Sequence, residues 1–278
     1  MVTIFEQGDI VYLDFDPQAG HEQRGRRPAL VVSNDLFNRV SSLTMVCPIT
    51  HTDRNSPFHL RLDRRTRTDG VIMCDQARML DLRSRHAAFE EKAPEDITAE
   101  AVDMITSLSV FFRTSLSKGK DIISLAEEER HTLSYLEIQQ SRYRDIMEFE
   151  IRIPKELEGV MVPKLTLQPL AENALYHGLE GMYGDGEIVI HAYTKDGDLY
   201  ISVKDNGMGM SKEQAEALLD YTKELKTAKG NGIGVRNVHE RIQLHLGKEY
   251  GVQIISEEDE GTEILLHLPA IMYGEKKE

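Results

Sequence analysis

The sequence predicts two domains of different character, a small β-barrel followed by a helical connector and a larger domain of mixed helices and strands. Through Glu95 the chain carries 13 Lys and Arg against 14 Asp and Glu, and the remainder carries 20 against 33. Short, closely spaced strand patterns fill the first part, and helical periodicity begins after Ala93 and Pro94. Because charge and pattern change at the same point, we expect a domain boundary near residue 95.

Composition narrows the classes of function. No apolar run approaches membrane-spanning length and the N-terminus has no signal-peptide pattern, so we expect a cytoplasmic protein without membrane contact. The two cysteines, Cys47 and Cys74, fit a reducing compartment and are expected to be core residues rather than nucleophiles. The acidic excess after Glu95 disfavours nucleic-acid binding by that part, whereas arginine clusters in the first part suit phosphate contacts.

The first part has the pattern of a small barrel. Apolar, β-branched runs separated by turn-forming residues predict strands at 9–15, 28–33, 43–49 and 70–75. The loop between the first two runs concentrates charge in His21, Glu22, Arg24, Arg26 and Arg27. Arginine offers a fixed fork of donors to phosphate oxygens, and a nearby His or Glu can move protons. The loop is therefore either a phosphodiester site or a solvated hairpin tip.

Several ordered motifs in this part resemble the MazF and PemK toxin family. They are Gly8-Asp9-Ile10, Leu13-Asp-Phe-Asp-Pro17, Gly20-His-Glu-Gln-Arg-Gly-Arg-Arg-Pro-Ala-Leu-Val-Val-Ser33, Val46-Cys-Pro-Ile-Thr50, Pro57-Phe58 and Cys74-Asp-Gln-Ala-Arg78. The resemblance implies a homodimeric, SH3-like β-barrel that cleaves single-stranded RNA without a metal. It also implies an antitoxin partner, in a complex able to bind DNA.

The same resemblance assigns roles to residues of the barrel. It implies that Arg27 is the catalytic arginine and that Thr50 is its partner. Glu22, His21 and Asp75 are candidates for the base or for substrate contact. Some relatives place an arginine two residues before the aspartate of Cys-Asp-Gln, where this chain has Met73, so a mechanism using that second arginine is not expected here.

Two amphipathic helices are predicted between residues 96 and 150. One carries Val102, Ile105, Leu108, Phe112 and Leu116, and the other begins at a capping box, Ser124 to Glu127, and carries Leu133, Leu136, Tyr143 and Met147. Residues 101–148 resemble the end of the dimerisation region of LytS- and YesM-type sensor histidine kinases. The phosphoacceptor setting His-Phe-Leu-Tyr-Asn of that family does not occur in the sequence, and His131 is expected to be a surface or packing histidine.

The last part combines a polar helix edge with a carboxylate at the end of a strand. Residues 165–178 have apolar residues at helical spacing, and Glu172 interrupts that pattern. Asn173 and His177 are four residues apart and therefore lie on one side of the helix. A carboxamide at this edge suits a metal held by oxygen ligands. Strands are predicted at 186–193 and 199–205, and the second ends at Asp205. A carboxylate on an apolar face is costly unless paired, and an adenine amino group is a suitable partner.

Glycines follow these elements. Gly207 and Gly209 allow close approach of the backbone, and the loop 230–234 opens into a helix as a phosphate cradle. Together these motifs resemble the GHKL ATP-binding domain shared by histidine kinases, Hsp90, gyrase and MutL, which implies an α/β sandwich of the Bergerat fold. The roles implied are magnesium coordination by Asn173, adenine binding by Asp205 with support from Thr262, and a pocket and lid shaped by Gly207, Gly209, Gly232 and Gly234. Glu172 would orient the transfer beside His177, and residues 211–229 would form a mobile lid.

We therefore predict a toxin-like domain at 1–95, a helical connector at 96–150, an ATP-binding domain at 151–270 and a tail at 271–278, with disorder expected in residues 274–278. The function predicted is a metal-independent ribonuclease joined to a domain that binds ATP and Mg²⁺ without the usual autophosphorylation. A phosphotransfer protein or response regulator is a further possible partner. One alternative is a non-catalytic dimerising or antitoxin-binding module joined to a nucleotide-sensing domain. A third interpretation is a rearranged chain with no evolved joint function.

Overall fold

The computed structural model describes residues 4–16, 25–53, 56–115, 120–142, 147–179, 182, 184–219 and 233–272. The chain divides into two compact units, Met1–Ser109 and Val110–Glu278. Of the predicted tail, Ile271 and Met272 are described, and Met272 forms an isolated β-bridge with Val160, whereas residues 273–278 lie outside the described residues. None of the described helices is long and apolar enough to cross a lipid bilayer.

The first unit is built on antiparallel strands. Its elements are β1 (Asp9–Asp14), β2 (Arg26–Val31), α1 (Asp35–Val40), β3 (Thr44–Thr50), β4 (His59–Arg61), β5 (Val71–Met73), β6 (Arg78–Leu80), β7 (Ala88–Lys92) and the first part of α2 (Glu95–Ser115). The sheet has the order β4-β5-β3-β2-β1-β7, and β6 also pairs with β3. Alternate residues of β1, β2 and β3 pack into one buried cluster, including Val11, Leu13, Ala29, Val31 and Val46, as the period of two in a strand requires.

One predicted strand is shorter than expected. The run 70–75 continues as a strand only from Val71 to Met73, and Cys74–Gln76 forms a 3₁₀ turn. The N–H of Cys74 donates to the carbonyl of Phe58, and the N–H of Ala77 donates back to the carbonyl of Cys74. These bonds close the turn and carry Asp75 out of the sheet.

The second unit is an α/β sandwich, as predicted. Its elements are β8 (Ile122–Ser124), α3 (Leu125–Arg142), β9 (Met147–Arg152), β10 (Met161–Pro163), α4 (Gln168–Asn173), β11 (Gly186–Lys195), β12 (Asp198–Asp205), α5 (Lys212–Leu219), α6 (Ile233–Leu246), β13 (Gly251–Glu257) and β14 (Gly261–Pro269). The main sheet has the order β13-β14-β12-β11-β9. The sheet is mixed because β9 runs parallel to β11, whereas the other pairs are antiparallel.

Helices cover one face of this sheet. On β12, Leu199, Ile201 and Val203 are buried in one cluster with Val238 and Ile242 of α6. Burial of one such side chain contributes about 1.5–3 kcal/mol. The same alternation places Asp205 at the end of the covered face, which is the feature that the sequence predicted.

Two helix predictions are wrong at their ends. Met147 was expected on the second connector helix, but α3 ends at Arg142 and Met147 begins β9, where it pairs with Gly186. The helix expected from residue 165 begins at Gln168, because Leu165 has a left-handed φ of 59° and cannot continue a right-handed helix. After Asn173 that helix widens into one π-helical turn, Ala174–Gly178.

Candidate functional site

The first candidate site lies on strands β2 and β3. These strands pair with Ala29 opposite Pro48 and with Leu30 opposite Cys47. Arg27 and Thr50 each lie two residues beyond the Ala29–Pro48 pair, at the same end of β2 and β3. The two residues predicted to cleave RNA are therefore carried by neighbouring strands.

Thr50 is held at the end of its strand. Thr50 is buried, and its Oγ1 accepts the N–H of Thr52 at 3.3 Å. A hydroxyl that accepts one bond retains its own hydrogen for donation. Thr50 can therefore donate to a phosphate oxygen without breaking this contact.

Asp75 lies beside His59, a histidine that no sequence motif marks. The side chain of His59 is 4% exposed, with its Nε2 3.7 Å from Asp75 Oδ1 and its Nδ1 3.8 Å from Asp53 Oδ1. A single histidine on a three-residue strand carries no sequence signal, because both carboxylates reach it through tertiary packing. His21 and Glu22, the other candidates for proton transfer, lie outside the described residues.

The two cysteines are core residues, as expected. Cys47 and Cys74 are both free and buried. The pKa of the Cys74 thiol is raised, mainly by a hydrogen bond with Cys47 and secondly by burial. A thiol held protonated is a poor nucleophile.

The second candidate site is centred on Asp205, which is 3% exposed. Its Oδ1 accepts the N–H groups of Gly207 at 3.0 Å and Thr262 at 3.3 Å. Within the described part of the chain, Oδ2 accepts no hydrogen bond. Burial raises the pKa of Asp205 to about 6, against the opposing effect of the two N–H donors. A buried carboxylate with one free oxygen is suited to bind an external N–H donor.

The polypeptide backbone packs directly against this carboxylate. A Cβ at Gly178 would lie 2.5 Å from the Asp205 carboxyl group, and a Cβ at Gly207 would lie 1.8 Å from the carbonyl oxygen of Gly178. Neither position has room for a side chain. Gly178 was not among the predicted site residues, although a glycine after Tyr176 and His177 is a common helix terminator.

Replacing Gly178 by alanine is expected to displace Asp205 and to lower the free energy of unfolding by about 1–3 kcal/mol, as overpacking does. Denaturant unfolding would measure the loss. The matched control is Gly159→Ala, because a Cβ there meets only the flexible end of Met272. Equal effects of the two substitutions would show that the contact with Asp205 is unimportant.

Thr262 and Gly209 lie next to the same carboxylate. Thr262 is paired with Asp205 across β12 and β14, and its Oγ1 is 2.8 Å from Ser256 Oγ. The Ser256 hydroxyl also accepts the N–H of Met210 at 2.9 Å. A Cβ at Gly209 would lie 1.9 Å from the carbonyl oxygen of Glu257. The turn after Asp205 is therefore closed against the hairpin that follows it.

Helix α4 and the π-helical turn that follows it carry three of the predicted residues. Asn173, at the last position of α4, is 8% exposed, and its side chain makes no hydrogen bond to any described residue. Glu172 and His177 are exposed, and partial desolvation raises the pKa of Glu172 while the charge of His177 opposes the rise. A π-helical turn begins directly after Asn173, and such turns are frequent at functional sites.

The glycine loop is described only at its end. Gly234, in the first turn of α6, lies near Pro169 of α4, since a Cβ at Gly234 would be 3.4 Å from the Pro169 Cβ. Gly232 and residues 220–229 of the predicted lid lie outside the described residues. The first part of that segment forms helix α5, which Arg236 holds through bonds to the carbonyls of Ala217 and Leu218.

Comparison with known families matches three segments of the chain. Residues 6–108 match the family described as PemK-like, MazF-like toxin of type II toxin-antitoxin system. Residues 88–147 match the histidine kinase family, and residues 163–271 match the histidine kinase-, DNA gyrase B- and HSP90-like ATPase family. The first two matches overlap on β7 and α2.

Individual proteins give the same division. The sensor histidine kinase YesM of Bacillus subtilis is 37% identical over 60% of this chain and 27% of its own length. The sensor protein LytS of Bacillus anthracis is 36% identical over 61% of this chain and 29% of its own length. The crystal structure of MazF from Deinococcus radiodurans is 42% identical, covers 39% of this chain and 98% of that protein, and has a TM-score of 0.37.

The chain thus spans less than a third of the length of these two sensor kinases. It covers nearly all of the Deinococcus MazF. The N-terminal part of the chain thus matches the PemK-like, MazF-like toxin family, and the part that follows matches the histidine kinase and histidine kinase-like ATPase families.

Proposed function

We propose that the N-terminal domain is a metal-independent endoribonuclease that acts on single-stranded RNA. The observation that supports this proposal is that Arg27 and Thr50 lie at the same end of the neighbouring strands β2 and β3. In the proposed reaction an RNA 2′-hydroxyl attacks the adjacent phosphorus and the bond to the 5′-oxygen of the next nucleotide breaks. The products are a 2′,3′-cyclic phosphate and a free 5′-hydroxyl.

Arg27 and Thr50 would stabilise the charge that develops on the phosphate oxygens. The guanidinium supplies a fixed positive charge and donors, and the Thr50 hydroxyl adds a hydrogen bond. Arg27 would also help to protonate the leaving oxygen. Removal of the proton from the 2′-hydroxyl is assigned to one of the candidates His21, Glu22 and Asp75.

We propose that the C-terminal domain binds ATP with Mg²⁺, as the ATPase family implies. Oδ2 of Asp205, which accepts no hydrogen bond from the described residues, would accept the adenine amino group, with Thr262 in support, and Gly207 and Gly209 would form the adjacent wall. The Asn173 carboxamide, which has no hydrogen bond to any described residue, would ligate the magnesium. When bound, the metal neutralises phosphate charge, and Gly232 and Gly234 would place backbone N–H groups near the phosphates.

We further propose that this domain does not phosphorylate a histidine of its own connector. His131 is fully packed, since its ring stacks on Phe111 with centroids 4.7 Å apart and its Nε2 contacts Gln168. A buried ring is not available for phosphoryl transfer. The proposed partners are therefore an antitoxin for the first domain, whose complex binds DNA, and a phosphotransfer protein or response regulator for the second, with the chain as a homodimer.

Three assays test these three proposals. Purified full-length chain is incubated with mixed single-stranded RNA in EDTA, and the ends of the products are analysed. In parallel, ATP binding is measured by calorimetry with and without Mg²⁺, and labelled ATP is used to look for phosphorylation of the chain. Cyclic-phosphate ends, Mg-dependent ATP binding and an unlabelled chain are expected. An intact RNA would contradict the first proposal, absence of ATP binding the second, and a phosphorylated connector histidine the third.

A further inference from the structure

A buried carboxylate outside both sites holds the segment that leads into α4. Glu128, on α3, is fully buried, and its two oxygens accept the N–H groups of Leu165 at 3.0 Å and Leu167 at 2.8 Å. From α6, Arg241 Nη1 donates to the carbonyls of Lys164 at 2.6 Å and Leu165 at 3.1 Å. Residues 164–167 are therefore fixed by a carboxylate from one helix and a guanidinium from another.

The backbone of this segment requires such support. Leu165 has a φ of 59°, a left-handed conformation that is unfavourable for a branched side chain. Conformations of this kind persist where the surroundings over-determine them, and they are common next to binding sites. In this conformation the N–H groups of residues 165 and 167 point to the same carboxylate, as in an anion-binding nest.

A second contact joins the same two helices. His131, one turn after Glu128, approaches the side-chain oxygen of Gln168, with 2.7 Å between Nε2 and Oε1. Gln168 is the first residue of α4, and Asn173 is the last. Because α4 has only six residues, a change in where it begins is carried directly to the carboxamide at its end.

The adenine end of the site does not depend on these contacts. Asp205 is on the central strand β12, and its bonds run to the backbone of Gly207 and Thr262. Arg241, by contrast, lies on α6 two helical turns after Gly234. Glu128 and Arg241 thus fix the segment that leads into α4, and Arg241 itself belongs to α6. These two helices carry Asn173 and Gly234, the residues that would contact magnesium and phosphate.

We propose that Glu128 is a positioning residue for the phosphate and magnesium end of the nucleotide site. It sets the start of α4 and thereby the place of Asn173, while Asp205 is set by the sheet. This inference rests on the proposed binding of Mg-ATP. It also gives α3, whose sequence resembles a kinase dimerisation helix, a role within the ATP-binding unit.

The test compares two ligands in the full-length chain carrying Glu128→Gln. Glutamine preserves the shape of the side chain, but its amide can satisfy only one of the two N–H donors. Mg-ATP affinity is expected to fall by roughly 10- to 100-fold, the range seen when groups that orient a metal ligand are removed. Adenosine affinity, which depends on Asp205, is expected to change by less than about two-fold, because distant sites without shared contacts are only weakly coupled. The control is Glu129→Gln on the same helix, which should leave both affinities unchanged.

A second variant protects the test against a folding defect. Arg241→Lys keeps the positive charge but loses the paired donation to Lys164 and Leu165, and it should produce the same split to a smaller extent. Unaltered Mg-ATP affinity in both variants would overturn the inference. Equal loss of Mg-ATP and adenosine would also overturn it, because it would reveal a purely structural role. A wild-type chain that binds neither ligand would overturn the nucleotide site itself, and the inference with it.

Discussion

Replacing Arg27 by alanine is expected to slow cleavage of single-stranded RNA by roughly 100- to 1,000-fold, the usual cost of removing one donor that stabilises charge in the transition state. The effect should fall on the chemical step, because Arg27 would act where charge develops on the phosphate. Single-turnover cleavage of an end-labelled RNA in EDTA would measure it.

Arg26 provides the matched control for this substitution. It is the neighbouring residue of β2, where successive side chains point to opposite faces, and it donates to the carbonyl of His86 at 3.1 Å. Arg26→Ala removes the same charge and is expected to retain most of the activity. If both variants lose activity equally, Arg27 contributes only general attraction of RNA, and the catalytic assignment is wrong.

Replacing Asp205 by asparagine is expected to change stability and ligand binding in opposite directions. Loss of a hydrogen bond to a charged group costs about 1.5–3 kcal/mol, so ATP affinity should fall by roughly 10- to 100-fold. The unliganded protein should instead become more stable at neutral pH, by up to about 3 kcal/mol, because the variant no longer buries a charge. Calorimetric titration and urea unfolding would measure the two effects.

The gain in stability should depend on pH in a definite sense. The pKa of Asp205 is raised from 3.8 to about 6 in the folded chain, so the folded state holds its proton more tightly than the unfolded state does. The contribution of Asp205 to stability is fully present below about pH 4 and is lost as pH rises through about 6. Wild type and Asp205→Asn should therefore be similarly stable near pH 4 and differ most above about pH 6. A variant that is less stable than wild type at pH 7 would contradict the origin assigned to the pKa.

Much of the fold could be predicted from local pattern. Strand-forming runs separated by turn residues identified β1, β2, β3, β11 and β12, and the carboxylate that ends an apolar face identified Asp205. The helix error at Met147 arose because apolar spacing continued past the end of α3. The parallel pairing with Gly186 that makes Met147 part of a strand is non-local and leaves no sign in the neighbouring residues.

The site residues that the sequence did not predict, Gly178 and His59, also depend on non-local contacts. Gly178 matters because Asp205 lies against it. His59 is notable because Asp53 and Asp75 flank it. Neither contact can be predicted from neighbouring positions in the sequence. The second connector helix likewise required tertiary information. Its apolar side was expected to pack against a partner that the sequence did not identify. In the structure, Leu125 and Leu136 of α3 pack in the core of the second unit.

The buried cysteines also provide a natural way to follow the two halves separately. Cys47 and Cys74 are the only cysteines of the chain and both belong to the first unit, whereas nine of the ten tyrosines follow residue 110 and tryptophan is absent. A thiol reagent added to the native chain will react only as the first unit opens. Tyrosine fluorescence will report almost entirely on the second unit. A single unlabelled sample can therefore reveal whether RNA or ATP stabilises only the half that binds it or both halves at once.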